Sequence, residues 1–342
     1  MEKRLTLEKI GVLAGVSRST VSRVINDHPN IRPEVRQRVK TVIAQTGYQP
    51  NHAARSLAST QSRILGIVIP SFFNSLFSDP YFPRLIQGIS QASNAHHYVP
   101  SLFLFNNQDE QRSVLQRVLG SGMMDGLIVT ADRHDITLVD ELTTMSVPFV
   151  LVGRPAQAES QGISYVDADN VSGGYNATAH LLRRGYRRIG AIVVPFNTAG
   201  QDRYAGYQQA LMQHGIALDE GLIAQADFSE ASGYAGMKHL LPAKPDAVFV
   251  SSDTMAFGAM RALQEAGLRV PDDVAIVGFD DLPPAHSTNP PLTTVRQPIK
   301  RTGALAVETL LDMLATSVTP ERRIVLPTEL VIRVSCGAVN DA

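Results

Sequence analysis

The chain has 342 residues, 44% of them hydrophobic, enough for roughly two or three modest cores. Its 31 basic and 32 acidic side chains nearly cancel, yet residues 1–63 hold 11 basic against four acidic, a net +7, and the remainder is net −8. The lone Cys336 excludes an internal disulfide framework and suits a reducing cytoplasm. The charged start at Glu2, Lys3 and Arg4 reads as no signal peptide, and no stretch reaches the ~20 apolar residues of a membrane span.

Residues 6–26 read as a helix, a glycine turn and a second helix. Thr6 is placed to cap the first helix, with Leu7, Ile10 and Leu13 or Ala14 on its inward stripe. Gly15 supplies the turn. Ser17 caps the second helix, where Val21 and Val24 point inward beside Val16, and Arg18, Ser19, Ser22 and Arg23 point outward. Guanidinium and hydroxyl groups on the first turns of a short helix are what a DNA major groove accepts. A small helical hairpin with a solvated basic face is the alternative on this segment alone. The basic head on an acidic body favours the DNA reading, because the body repels phosphates that the head attracts.

Pro33 opens a third helix with Val35, Val39 and Val42 or Ile43 at helical spacing; Gly47 ends it and Tyr48 folds back on the small core. Residues 51–60, alanine-rich and short, form at best a weak helix, disordered when alone, or a plain linker.

From Ile64 apolar runs alternate with amphipathic helices. Strands are expected at Ile64–Ile69, Ser101–Phe105, Gly126–Thr130, Pro148–Val152, Arg188–Val194, Ala247–Ser251 and Val274–Gly278. Helices are expected at 83–96, 109–121, 172–184, 202–214, 230–241 and 254–266. This is an α/β pattern of doubly wound parallel sheet, and the polar stretch 154–164 splits it into two sheets. Thr293–Val295, Arg323–Leu326 and Glu329–Arg333 have no regular helical partners and can pass back between the halves.

Catalytic signatures are missing: there is no GxxxxGK[ST], HExxH, GxSxG, or GxGxxG between strand and helix. His96-His97, near a helix end, reads as a solvent-facing pair rather than a metal site, and Asp280-Asp281 lack the separated second acid that acid–base work needs. No enzyme activity, cofactor or metal is expected. Ligands of open α/β sheets sit beyond the carboxyl ends of strands. There Asp280, Ser252 with Asp253, and Asn197 to Arg203 converge from three parts of the chain. Asp253 and Asp281 read as helix caps, and Gly173-Gly174 as letting a helix start close to a strand.

AGVSRSTVSRVIN, GYQPNHAARSLA, VDADNVSGG, DRYAGYQQAL, SSDTMAFGAMRAL, VPDDVAIVGFDD, PPLTTVRQP and LPTELVIR occur in order. With them, the whole chain resembles the lactose/galactose-repressor (LacI/GalR) family of transcription factors. The resemblance implies a helix-turn-helix headpiece (1–50), a hinge helix (51–62) and a periplasmic-binding-protein-like core (63–342). Within that core it implies one subdomain of 63–163 and 292–325, another of 164–291 and 326–342, and crossovers near 162–166, 288–293 and 325–329. It further implies a sequence-specific regulator, most simply a repressor, acting in the cytoplasm on a palindromic operator as a homodimer, with a small polar effector, a saccharide foremost. Ser17, Arg18, Ser19, Ser22 and Arg23, with Asn51, Ala54, Arg55 and Leu57 of the hinge, are the implied DNA contacts, Leu57 as a minor-groove wedge. Arg203, Asp280, Phe228 and Gln297 match family effector positions, and Arg154, Asn197 and Ser252 face the same cleft.

Three departures from the family pattern stand out. Gly11 replaces an alanine, at a cost of up to ~1 kcal/mol to the first helix. Arg32 replaces a serine-type cap before Pro33, and Asp79-Pro80-Tyr81-Phe82 follows a longer loop, Ser71–Ser78. The segment after LPTELVIR is too short and polar for a tetramerising coil, so a dimer is expected. Two alternatives stay open: a solute-binding protein without a DNA role, and a regulator of a non-sugar anionic metabolite.

Overall fold

The computed structural model describes residues 5–25, 27–48, 61–69, 79–105, 107–119, 122–130, 136–155, 162–316 and 320–337. They divide into two units, one ending at Ser62 and the other beginning at Arg63.

The first unit holds α1 (Leu7–Ala14), α2 (Arg18–Ile25) and α3 (Pro33–Thr46). Thr6 Oγ1 accepts from the Lys9 amide at 3.4 Å, and Gly15 turns the chain at φ 64°. The Ser17 hydroxyl caps α2 by accepting from the Thr20 amide at 3.2 Å. Ile10, Ala14, Val21, Val24, Val39 and Tyr48 form the core. Ala14 fills the inward place, and Leu13 is 56% exposed. Arg32 gives α3 no side-chain cap, so Pro33 at its first turn carries the start alone. Gly11 has a positive reason to be there. A β-carbon on it would lie 2.7 Å from the Val16 carbonyl oxygen, so the tight α1–α2 turn uses the room that alanine would fill.

The second unit contains two six-stranded sheets. The first orders β2 (Val99–Phe103), β1 (Ile64–Val68), β3 (Gly126–Thr130), β4 (Phe149–Val152), β5 (Tyr165–Ala168) and β11 (Arg323–Leu326), all parallel. Side chains alternate along each strand, and β3 shows the result. Ile128 joins Leu85, Ile89, Val307 and Leu310 on one face; Leu127 and Val129 join Leu115, Leu138 and Leu142 on the other. Thus α4 (Tyr81–Ala95) and α11 (Ile299–Ala315) cover one face, while α5 (Gln108–Leu119) and α6 (Ile136–Thr144) cover the other.

The second sheet orders β7 (Ile223–Gln225), β6 (Ile189–Val193), β8 (Ala247–Val250), β9 (Ala275–Asp280), β10 (Thr293–Arg296) and β12 (Glu329–Val331), with β12 antiparallel to β10. Leu181, Tyr207 and Leu211, from α7 (Asn170–Arg183) and α8 (Thr198–Gln213), pack on Ala191, Val193 and Phe249. Met237, Leu240, Met255 and Leu263, from α9 (Glu230–Leu240) and α10 (Asp253–Glu265), pack on Ile192, Val248 and Val250.

The chain passes between sheets after β5, after β10 and between β11 and β12, at 168–170, 296–299 and 326–329. The first two crossings lie later than the sequence placed them. Tyr165–Ala168 is a strand of the first sheet, paired with both β4 and β11, and Thr293–Arg296 is a strand of the second, paired with β9. The polar Asp167 hid the first as a strand, and the second was read as a segment passing back between the halves. The late strands also have a helical partner after all: α11 buries Ile299, Ala306, Val307 and Leu310. β2 starts two residues before the expected Ser101, and β7 was not foreseen.

Candidate functional site

On the first unit, Arg18, Ser19 and Arg23 are exposed along α2 and Ser22 is half-buried. Arg18 Nη1 lies 2.9 Å from Glu8 Oε1. An ion pair this exposed is worth little in water and yields readily to a phosphate or a base edge. The Ser17 hydroxyl is engaged in the cap and with the hydroxyls of Ser19 and Thr20, at 2.8 and 2.9 Å. Asn51, Ala54, Arg55 and Leu57 lie outside the described residues, as does the loop Ser71–Ser78.

In the second unit the polar cluster centres on Arg203, in the first turns of α8. Its Nε donates to Asn170 Oδ1 at 2.9 Å and its Nη1 to the Ser251 carbonyl at 2.6 Å. Nη1 also lies 3.3 Å from Asp280 Oδ1, and the two side chains are each only 5% exposed. The guanidinium carbon stands 3.7 Å from the centroid of Phe279, which fixes the plane of the fork. Gln297 Nε2 donates to Asp280 Oδ1 at 2.5 Å. Asp280 (φ 118°) and Asp281 (φ 55°) both occupy left-handed backbone at the end of β9. Strain of this kind persists only where the surroundings hold it, and it gathers at binding sites.

Carboxylates crowd the same place. Burial, with Asp79 nearby, pushes Asp280 up to about 7 against the pull of Arg203 and Gln297. Burial likewise raises Asp253, whose oxygens accept from Thr294 Oγ1 at 2.5 Å and the Leu282 amide at 2.8 Å. Asp167 is raised by burial too; it accepts from the Ala168 amide at 2.8 Å, Asn170 Nδ2 at 3.1 Å and the Arg154 amide at 3.2 Å. Asp79, at the start of α4, is also raised by burial, and accepts from the Tyr81 amide at 3.0 Å and from Thr254 Oγ1 of the other subdomain at 3.3 Å. The Tyr81 hydroxyl is raised by burial and by the charges of Asp167 and Asp280.

The structure therefore brings Arg203, Asp280 and Gln297 together, as the sequence placed them. The remaining candidates are engaged with other groups of the protein. Asn197 caps α8, accepting from the Gly200 amide at 2.8 Å, and Ser252 caps α10, accepting from the Met255 amide at 3.3 Å. Phe228 is half-buried against the core of Ile192, Val250 and Met237. Arg154 spends its guanidinium on Asp202. Asp253 and Asp281 are not caps. Asp253 ties Leu282 to Thr294, while Asp281 is held below the ordinary range, despite its burial, by Arg333 and Arg296. Gly173 does lie against a strand, for a β-carbon there would be 2.6 Å from the Phe279 ring. Sequence reasoning missed Asn170, Asp167, Asp79 and Tyr81, although VDADN and the Asp-Pro-Tyr-Phe helix start carried the signal.

A helix-turn-helix unit in one chain with a two-sheet core and a polar cleft defines a DNA-binding protein under ligand control. Residues 6–51 match the profile of bacterial regulatory proteins of the lacI family, and residues 178–336 match a periplasmic binding protein-like domain. The HTH-type transcriptional regulator CelR of Thermobifida fusca is 38% identical over 97% of this chain and 98% of its own length. The HTH-type transcriptional repressor PurR of Haemophilus influenzae is 32% identical over 98% and 99%. Among solved structures, a complex of the transcriptional regulator CelR with cellobiose has a TM-score of 0.77 at 36% identity, covering 97% of this chain and 100% of that one. The lac repressor dimer bound to operator and the anti-inducer ONPF has a TM-score of 0.85 at 28% identity, covering 98% and 100%. The chain belongs to the lacI family of bacterial regulatory proteins, and it is a DNA-binding transcriptional regulator rather than an enzyme.

Proposed function

We propose that this regulator is a cytoplasmic repressor that binds a palindromic operator as a homodimer and is controlled by a saccharide held in the Arg203–Asp280 cleft. The observation that carries the reading is the buried set of Arg203, Asn170, Asp280 and Gln297, with Arg203 stacked on Phe279. A polyol needs acceptors for its hydroxyl hydrogens and planar donors for its oxygens, and this set offers both. Asp280, Asp167 and the half-buried Asp79 stand around Arg203 and offset its charge, which disfavours an anionic metabolite. The cellobiose in the CelR complex and the operator-bound dimer of the lac repressor support the same assignment.

On the DNA side, Arg18, Ser19 and Arg23 read base edges, Ser17 and the arginines of α3 touch phosphates, Ser22 faces the DNA beside them, and the segment 51–62 serves as the hinge, with Leu57 as its wedge. The test is a calorimetric screen of mono- and disaccharides, beginning with cellobiose, on the wild type and on Arg203→Ala and Asp280→Ala. One saccharide binds the wild type, and both substitutions abolish its binding. Unchanged binding in both variants would place the pocket elsewhere.

A further inference from the structure

Arg154 and Asp202 stand on opposite subdomains. Arg154 follows β4 of the first sheet by two residues, and Asp202 lies in the opening turns of α8, directly before Arg203. Arg154 Nε donates to Asp202 Oδ2 at 2.6 Å and Nη2 to Oδ1 at 2.5 Å, a two-point fork. The Arg154 carbonyl accepts from Thr198 Oγ1 at 2.9 Å, so α8 grips this residue twice. On the other side, the Arg154 amide donates to Asp167, Asp167 accepts from Asn170, and Asn170 accepts from Arg203. The contacts form a ring that leaves α8 at Asp202, crosses both subdomains and returns to α8 at Arg203.

Among the described residues, other polar contacts also bridge the subdomains here: Thr254 Oγ1 to Asp79 at 3.3 Å and Arg84 Nη1 to the Asp281 carbonyl at 3.3 Å. Both are single and longer. Bidentate, charge-assisted bonds are the stronger kind, and they constrain angle as well as distance. The pair is only partly exposed, 33% for Arg154 and 15% for Asp202, so water screens it incompletely.

We propose that Arg154 and Asp202 form a latch across the cleft that holds the subdomains closed and aims Arg203 at the effector. Both are positioning residues. They need not touch the ligand; they raise its affinity by populating the closed arrangement beforehand. The latch rests on the reading of this cleft as the effector site, but its mechanical part can be tested apart from that reading.

The experiment uses the full chain as wild type, Asp202→Asn, Arg154→Asp, and the double exchange of Arg154→Asp with Asp202→Arg. Thermal unfolding first establishes that each is folded. Amide exchange at Arg154, whose amide bonds to Asp167 at the cleft end of β4 and whose carbonyl and guanidinium are held by α8, reports release of this residue from α8 with no ligand required. Asp202→Asn and Arg154→Asp should speed exchange there about tenfold, and the double exchange should restore much of the protection. Calorimetry with cellobiose as probe should show about tenfold weaker binding in Asp202→Asn, recovered in the double exchange. Wild-type exchange rates in Asp202→Asn, or a double exchange no better than the single variants, would overturn the latch. If cellobiose fails to bind the wild type, the saccharide reading loses that probe, and the amide exchange alone decides the latch.

Discussion

Asp280 pays for its position in the site with an unfavourable charge, and that cost is measurable through pH. Its carboxyl is pushed up to about 7 by burial and by Asp79, whereas in the unfolded chain it titrates near ~3.9. An acid whose folded-state pKa is raised stabilises the fold most when protonated, below its unfolded value. That contribution is lost as pH climbs through the folded value. Stability of the second unit should therefore decline between about pH 4 and pH 7. Asp280→Asn, which keeps the shape and removes the titration, should show a shallower decline in thermal unfolding across that range. Asp281 acts in the opposite sense, because Arg333 and Arg296 hold it low. Its contribution appears only in more acid solution and leaves the window clear. Equal slopes for wild type and Asp280→Asn would mean that Asp280 is not strained by its charge.

Helices and strands whose signal is local were legible in the sequence; those defined by distant partners were not. The α1–α2 pair was readable because caps, turn glycine and inward valines all lie within 21 residues of chain. β5 and β7 were not, since four-residue and three-residue strands exist only through the neighbours that pair with them. α11 has adequate spacing at Ile299, Ala306, Val307 and Leu310, yet it lies between strands of different sheets, so its place depends on partners far off in sequence. In the site, Arg203 and Asp280 were legible because strand ends collect ligands, whereas Asp79 and Asp167 reach the cluster from the first subdomain and are marked only by the short motifs that contain them. Gly11 shows a local rule overruled by its neighbourhood. Helix propensity favours alanine there, yet a β-carbon would meet the Val16 carbonyl oxygen at 2.7 Å. Gly11→Ala should destabilise the first unit by about 1–3 kcal/mol, as overpacking does. A neutral or stabilising result in thermal unfolding would show that the turn can give way.

At the scale of the whole molecule, three crossings join the two sheets, so the subdomains can change their mutual angle while each sheet stays intact. Polar contacts such as Arg154–Asp202 and Thr254–Asp79 bridge them and are remade when the angle changes. A saccharide that binds one angle better than another shifts the population of the two, and only that difference in affinity can reach the DNA. Typical couplings of ~1–3 kcal/mol correspond to about 5–150-fold in affinity. The most direct measurement is fluorescence anisotropy of a labelled operator, titrated with the protein in the presence and absence of the saccharide found by calorimetry. Saturating saccharide should change wild-type operator affinity within that 5–150-fold range. Arg203→Ala should bind the operator as the wild type does without saccharide and should ignore its addition. An operator affinity that stays constant while the saccharide is demonstrably bound would contradict the account.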